Sequence, residues 1–129
     1  MEKSPEYKWN NKHILVVEDD ESCAFLLGEI LKATGARIDY TTDGEEAIAF
    51  IRQHPETDLI LMDVHLPQKD GFTATREIKS FASNVVVIAQ TAYALSSNQQ
   101  EALEAGCDEF MTKPLRPALL LDKLNGFLA

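Results

Sequence analysis

Three short, unbroken apolar runs, Ile14–Val17, Leu59–Met62 and Val85–Ala89, constrain this chain more than any other feature. Runs of this length read as strands buried on both faces, the mark of a parallel sheet. From His13 onward strand and helix signals alternate, five of each, which is the pattern of a doubly wound α/β domain with helices on both faces of the sheet. The first run ends in Glu18, Asp19 and Asp20, and the second in Asp63. In open α/β sheets the ligand crevice lies beyond the carboxyl ends of the strands. If these two strands are neighbours, several carboxylates meet in one crevice. Like charges about 4 Å apart repel by about 4 kcal/mol at an effective dielectric near 20. Such a cluster predicts a bound cation, and oxygen ligands favour Mg2+ or Ca2+.

The periodicity places the remaining elements. A helix after the first strand carries Cys23, Leu26, Leu27, Ile30 and Leu31 on one face, with Asp20 as its N-cap and Gly35 at its end. Arg37–Thr41 alternates, with Ile38 and Tyr40 on one side, as expected of an edge strand. Asp43-Gly44 opens a second helix with Ala47, Ile48 and Ile51 inward. After Asp63 the breakers Pro67 and Gly71 mark a loop, then a helix over about Thr73–Ser80. A fourth helix, about Leu95–Ala105, offers the core little beyond Leu95, Ala102 and Leu103, so it is expected to be weakly held. A short strand at Glu109–Met111 precedes a last helix with Pro117 in its first turn and Leu120, Leu121, Leu124, Phe127 and Leu128 as its apolar face. Residues 1–12 are polar and patternless and read as a tail or linker, leaving 13–129 as one domain.

Composition narrows the function classes. A net charge of −9 argues against direct contact with nucleic acid or an anionic membrane. Two cysteines are too few for a disulfide framework and read as reduced, small apolar residues. No stretch has the length of a membrane span or the pattern of a signal peptide, so a cytoplasmic location is the default expectation.

Four strand ends deliver reactive groups to one rim: Glu18 and Asp19, Asp63, Thr91 just past the fourth strand, and Lys113 before Pro114. There is no Gly-rich phosphate loop, and His13, His54 and His65 are scattered without a Ser–His or Cys–His pattern. Carboxylates with a divalent cation, a hydroxyl and an ammonium suit phosphoryl transfer, in which a carboxylate can itself be the nucleophile.

These residues sit in ILVVEDDE (Ile14–Glu21), LILMDVHLPQKDG (Leu59–Gly71), VVVIAQTAYA (Val85–Ala94) and GCDEFMTKP (Gly106–Pro114). Together the four segments resemble the receiver domain of response regulators, the phosphoacceptor half of two-component signalling. The resemblance runs from His13 to the C-terminus. It implies a flavodoxin-like (βα)5 fold with a five-stranded parallel sheet in the order 2-1-3-4-5. It implies that Asp63 is phosphorylated from a phosphohistidine of a histidine kinase or phosphotransfer protein. Asp19 and Glu18 would bind Mg2+ together with Asp63 and the backbone carbonyl of His65, and Mn2+ or Ca2+ could substitute. Thr91 and Lys113 would contact the phosphoryl group, the Lys113–Pro114 bond being cis in the family. Thr91 and Phe110 would act as the switch pair, changing a helix 4/strand 5/helix 5 face that serves output or homodimerisation, with Leu119 as a candidate contact. His65 and Tyr93 occupy positions that tune loss of the phosphoryl group, and the bulk of Tyr93 predicts slow self-dephosphorylation. Such a domain catalyses its own phosphorylation and is not a turnover enzyme.

Two other classes compete. A phosphatase of the haloacid-dehalogenase type also uses an Asp after a strand, but wants a second Asp two positions on, where His65 stands. A non-phosphorylated interaction module usually lacks an acid or the Lys, and both are present. GFTATREIKS and QTAYALSSNQQEALEAGCDEF look more like receivers fused to sensor kinases than those ahead of DNA-binding domains. The sequence leaves open a free-standing regulator or the receiver of a hybrid sensor histidine kinase.

Overall fold

The computed structural model describes residues 7–66, 69–92, 96–113 and 116–128, and within these the side chains of 96–98 are left aside. Pro67, Tyr93, Leu95 and Pro114, named above, lie outside the described residues. Five strands and five helices alternate: β1 His13–Val17, α1 Glu21–Lys32, β2 Arg37–Thr41, α2 Gly44–Gln53, β3 Leu59–Asp63, α3 Gly71–Phe81, β4 Val86–Thr91, α4 Ser96–Ala105, β5 Glu109–Thr112 and α5 Pro117–Leu128. The strands form one parallel sheet in the order β2-β1-β3-β4-β5. β1 and β3 are therefore neighbours, with Val17 opposite Met62, and their acidic ends emerge at the same rim.

Strand alternation divides the core in two. Leu15, Val17, Ile60, Met62, Val87 and Ala89 face α2, α3 and α4, where Ile48, Ile51 and Ile78 meet them. Ile14, Val16, Leu59, Leu61 and Ile88 face α1 and α5, against Leu31, Leu120 and Leu124. Helix starts follow the expected capping chemistry. The carboxylates of Asp20, Asp43 and Asp70 accept hydrogen bonds from the backbone N–H of Cys23, Glu46 and Thr73. Gly35 follows α1 at φ +83°, a backbone geometry glycine adopts without steric cost.

The structure corrects several expectations. α3 starts at Gly71 rather than Thr73, because Asp70 caps it. β4 runs through Thr91, which is its last residue rather than a loop residue. Leu26, Leu103 and Phe127 are 54%, 69% and 39% exposed, so they lie outside the faces that α1, α4 and α5 bury. Residues 7–12 are not a free tail. Trp9 is 3% exposed in the α1/α5 core, its backbone N–H donates to the Thr34 carbonyl at 2.8 Å, and Tyr7 packs on its ring. The sequence pattern missed this because a lone Trp in a polar stretch has no periodicity to betray its partners.

Candidate functional site

Each polar group at the rim is placed by a strand end. Glu18 follows β1, and its N–H donates to the Thr41 carbonyl of β2 at 3.1 Å. Asp63 closes β3, and the next N–H, on Val64, donates to the Gln90 carbonyl of β4 at 2.9 Å. Thr91 closes β4, and its carbonyl accepts from the Lys113 N–H just past β5 at 2.7 Å. Ladder bonds therefore bring Glu18, Asp63, Thr91 and Lys113 together from four different strands.

Glu18, Asp63 and Thr91 are buried, Lys113 is half-buried, and Asp19 is exposed. Glu18, Asp19 and Asp63 each offer a carboxylate oxygen, and the three oxygens lie within 4.8 Å of one another. Lys113 Nζ donates to Glu18 Oε1 at 2.9 Å and stands 3.7 Å from Asp63 Oδ2. Burial raises the pKa of the Glu18 carboxyl, and the neighbouring Asp63 adds to this while Lys113 opposes it. Burial also works against the Lys113 ammonium, but its hydrogen bond to Glu18 and the charges of Asp63 and Glu18 outweigh that, leaving its pKa raised. One ammonium thus faces two buried carboxylates with a third acid at the mouth. An all-oxygen donor set with excess negative charge fits a hard divalent cation such as Mg2+.

The remaining sequence-predicted residues sit around this centre. The His65 N–H donates to Asp63 Oδ1 at 3.1 Å, and its Nε2 lies 3.4 Å from Thr91 Oγ1. Phe110, on β5, is half-buried against the α2/α3/α4 core and lines a cavity of about 250 Å³ with Ala102 and Leu103 of α4. Asp20 caps α1, and the Cys23 N–H bond to its carboxylate lowers its pKa.

Sequence reasoning took Gly71 for a loop breaker, whereas its role is closer to the chemistry. A Cβ on Gly71 would fall 2.3 Å from the Asp63 carbonyl oxygen. The start of α3 can therefore press against the end of β3 only through a glycine. The signal available was a glycine immediately after a cap-competent Asp70, two residues before the helix start that periodicity suggested.

Comparison with known proteins agrees with this geometry. Residues 14–125 match the family described as response regulator receiver domain. The chain is 32% identical over 117 residues to the chemotaxis protein CheY of Halobacterium salinarum, covering 91% of this chain and 97% of that protein. It is 38% identical over 118 residues to hybrid signal transduction histidine kinase M of Dictyostelium discoideum, covering 87% of this chain but 5% of that much longer protein. Among solved structures, the receiver domain of a sensor histidine kinase from Pseudomonas aeruginosa PAO1, with a magnesium ion coordinated in its active site cleft, superposes with a TM-score of 0.84 at 34% identity, covering 91% of this chain and 97% of that one. A co-crystal structure of the Saccharomyces cerevisiae histidine phosphotransfer signaling protein Ypd1 and the receiver domain of its downstream response regulator Ssk1 matches with a TM-score of 0.86 at 26% identity, covering 97% of this chain and 92% of that one. Five parallel strands in the 2-1-3-4-5 order, the gathered acids and these matches lead to one assignment: the chain belongs to the response regulator receiver domain family of two-component signalling.

Proposed function

We propose that the chain is a phosphoacceptor in a two-component phosphorelay, with Asp63 taking a phosphoryl group from a phosphohistidine of a histidine kinase or phosphotransfer protein. The observation that carries this reading is the convergence on Asp63 of Lys113 Nζ at 3.7 Å and the oxygens of Glu18 and Asp19. An Asp63 carboxylate oxygen attacks phosphorus, the P–N bond breaks, and the donor imidazole leaves with the bonding pair. Held by Glu18, Asp19, Asp63 and the His65 carbonyl, Mg2+ would neutralise charge on the phosphoryl oxygens, and Mn2+ or Ca2+ suits the same oxygen donors. Lys113 is placed to pair with the transferred group, and Thr91 to donate its hydroxyl to it. The Asp63 phosphate is a stoichiometric product, so the domain is a switch rather than a turnover enzyme.

The output reading rests on the same rim. New phosphoryl oxygens compete with His65 for the Thr91 hydroxyl and draw it inward, and Phe110 turns into the vacated space. The half-buried position of Phe110 against the α2/α3/α4 core, close to α4, supports this. The α4/β5/α5 face then changes toward a partner or a second copy, with Leu119 of α5 half exposed there. His65 and Tyr93 are proposed to tune the lifetime of the acyl phosphate. A cytoplasmic location follows from the phosphohistidine donor, and no described helix is long and apolar enough to cross a membrane.

Intact-mass measurement after acetyl phosphate and Mg2+ tests the central claim. The wild type is expected to gain one phosphoryl group, and Asp63→Ala none. A variant that gains it equally would move the nucleophile elsewhere.

A further inference from the structure

The chain leaves α4 through a segment that α3 and β4 hold. The N–H groups of Cys107 and Gly106 donate to the Ala102 and Leu103 carbonyls at 2.9 and 3.1 Å, and Gly106 takes φ +98° to make the turn. Asp108 then grips β4 twice. Its N–H donates to the Val87 carbonyl at 2.8 Å, and its Oδ2 accepts from the Val87 N–H at 2.8 Å. The same Oδ2 accepts from Lys79 Nζ of α3 at 2.9 Å, and that ammonium also donates to the Val85 carbonyl at 2.6 Å. The Lys79 side chain is 18% exposed, and its stem lies against Gly106, where a Cβ would come 3.3 Å from its Cγ. Charge-assisted bonds of this kind are about twice as strong as neutral ones. Toward the other end of α4 the side chains of Gln99, Gln100 and Glu101 are exposed, whereas Ala102, Ala105 and Cys107 are buried.

We propose that Lys79 and Asp108 fix the C-terminal end of α4, so that α4 moves by turning about Gly106 rather than by sliding as a unit. Lys79 is then a positioning residue for the switch, although it lies far from the acids. A helix the length of α4 spans about 15 Å, so a turn of about 10° carries its far end about 2–3 Å while Gly106 stays in place. Val87, which Asp108 grips, and Thr91 lie roughly 13 Å apart along β4. The charge event proposed at Thr91 and the pivot therefore sit toward opposite ends of one strand, where a small push acts with the full length of the helix as its lever. The inference rests on the switch reading for the movement of α4, whereas the anchoring itself does not depend on phosphorylation.

Amide hydrogen exchange tests both parts. In the unphosphorylated chain the amides of Cys107 and Asp108 should exchange more slowly than those of Gln100 and Glu101. Lys79→Met keeps an apolar stem and removes the ammonium. It should speed exchange at Val87, Cys107 and Asp108 about tenfold or more, the scale of one hydrogen bond to a charged group, with α1 and α5 unchanged. Lys79→Arg, which keeps a charged donor, should restore most of that protection. Unaltered rates at these three amides in Lys79→Met overturn the proposal, as does an equal acceleration in α1 and α5, which would report a general loss of stability. After acetyl phosphate and Mg2+, exchange should change at Gln100 and Glu101 and stay the same at Gly106–Asp108. Change running through Asp108 would mean that the helix slides, overturning the pivot while leaving the switch in place. A chain shown by mass to carry the phosphoryl group, yet with no α4 amide altered, would remove the switch reading and the pivot's role with it.

Discussion

Glu18 and Asp19 are adjacent in sequence but differ in what they contribute. Glu18 is buried, and its pKa lies above the ordinary 4.5, first because of burial. The folded chain therefore holds the Glu18 proton more tightly than the unfolded chain does. The sign follows: this group favours the metal-free fold below about 4.5 and loses that contribution as pH rises through the raised value. Across that window, without divalent metal, the wild-type melting temperature should fall relative to Glu18→Gln as pH increases. Parallel curves for the two proteins would mean that Glu18 ionises as it does in water. Asp19 is exposed, so its removal should cost the fold little, and as a proposed ligand it should weaken the hold on the ion. A tenfold excess of Mg2+ over its dissociation constant stabilises by about 1.4 kcal/mol, a melting shift of several degrees. Thermal scans of Asp19→Ala should lose that gain, whereas an equal gain would place the ion elsewhere. Among the thiols, burial pushes Cys107 up to about 11, so at pH 8 iodoacetamide should modify the half-buried Cys23 first, as peptide mapping would read.

At the level of elements, what could be read from the residues depended on whether the cause was local. Apolar runs, Asp20 and Asp43 at helix starts, and acids at strand ends are local, and the strands they mark were legible together with the meeting of Glu18, Asp19 and Asp63 at one rim. The exposure of Leu26, Leu103 and Phe127 was not, because periodicity defines a helix face but not how much of it a neighbour covers. The position of Gly71 against the Asp63 carbonyl was hidden for a related reason, being a contact between two elements. α4 illustrates both halves. Its sequence suggests weak anchoring, and among its described side chains the buried ones are Ala102 and Ala105. By contrast α5 buries Leu120, Leu124 and Leu128, each contributing about 1.5–3 kcal/mol of apolar transfer. Native-state hydrogen exchange should therefore release α4 amides before those of α1, α2, α3 and α5. Uniform protection across the five helices would remove the mechanical basis proposed for the switch.

Across the whole molecule, the rim that gathers acids and the end that holds Trp9 are separated by the length of β1, roughly 15 Å. Trp9 packs in the α1/α5 core, and its indole N–H reaches Asn125 Oδ1 of α5 at 3.4 Å. As the single tryptophan, it should report global unfolding by fluorescence yet stay silent when Mg2+ is added. Trp9→Ala should cost about 3–5 kcal/mol in urea unfolding, the usual loss for a buried large aromatic. A loss near zero would return residues 7–12 to the status of a tail. Lys113 has the opposite kind of reach. Its backbone N–H is tied to the Thr91 carbonyl while its ammonium holds Glu18, so a single residue splices the ends of β1, β4 and β5. Lys113→Ala would keep the backbone bond to Thr91 and release only Glu18, so the variant is expected to loosen the end of β1 while β4 and β5 stay joined.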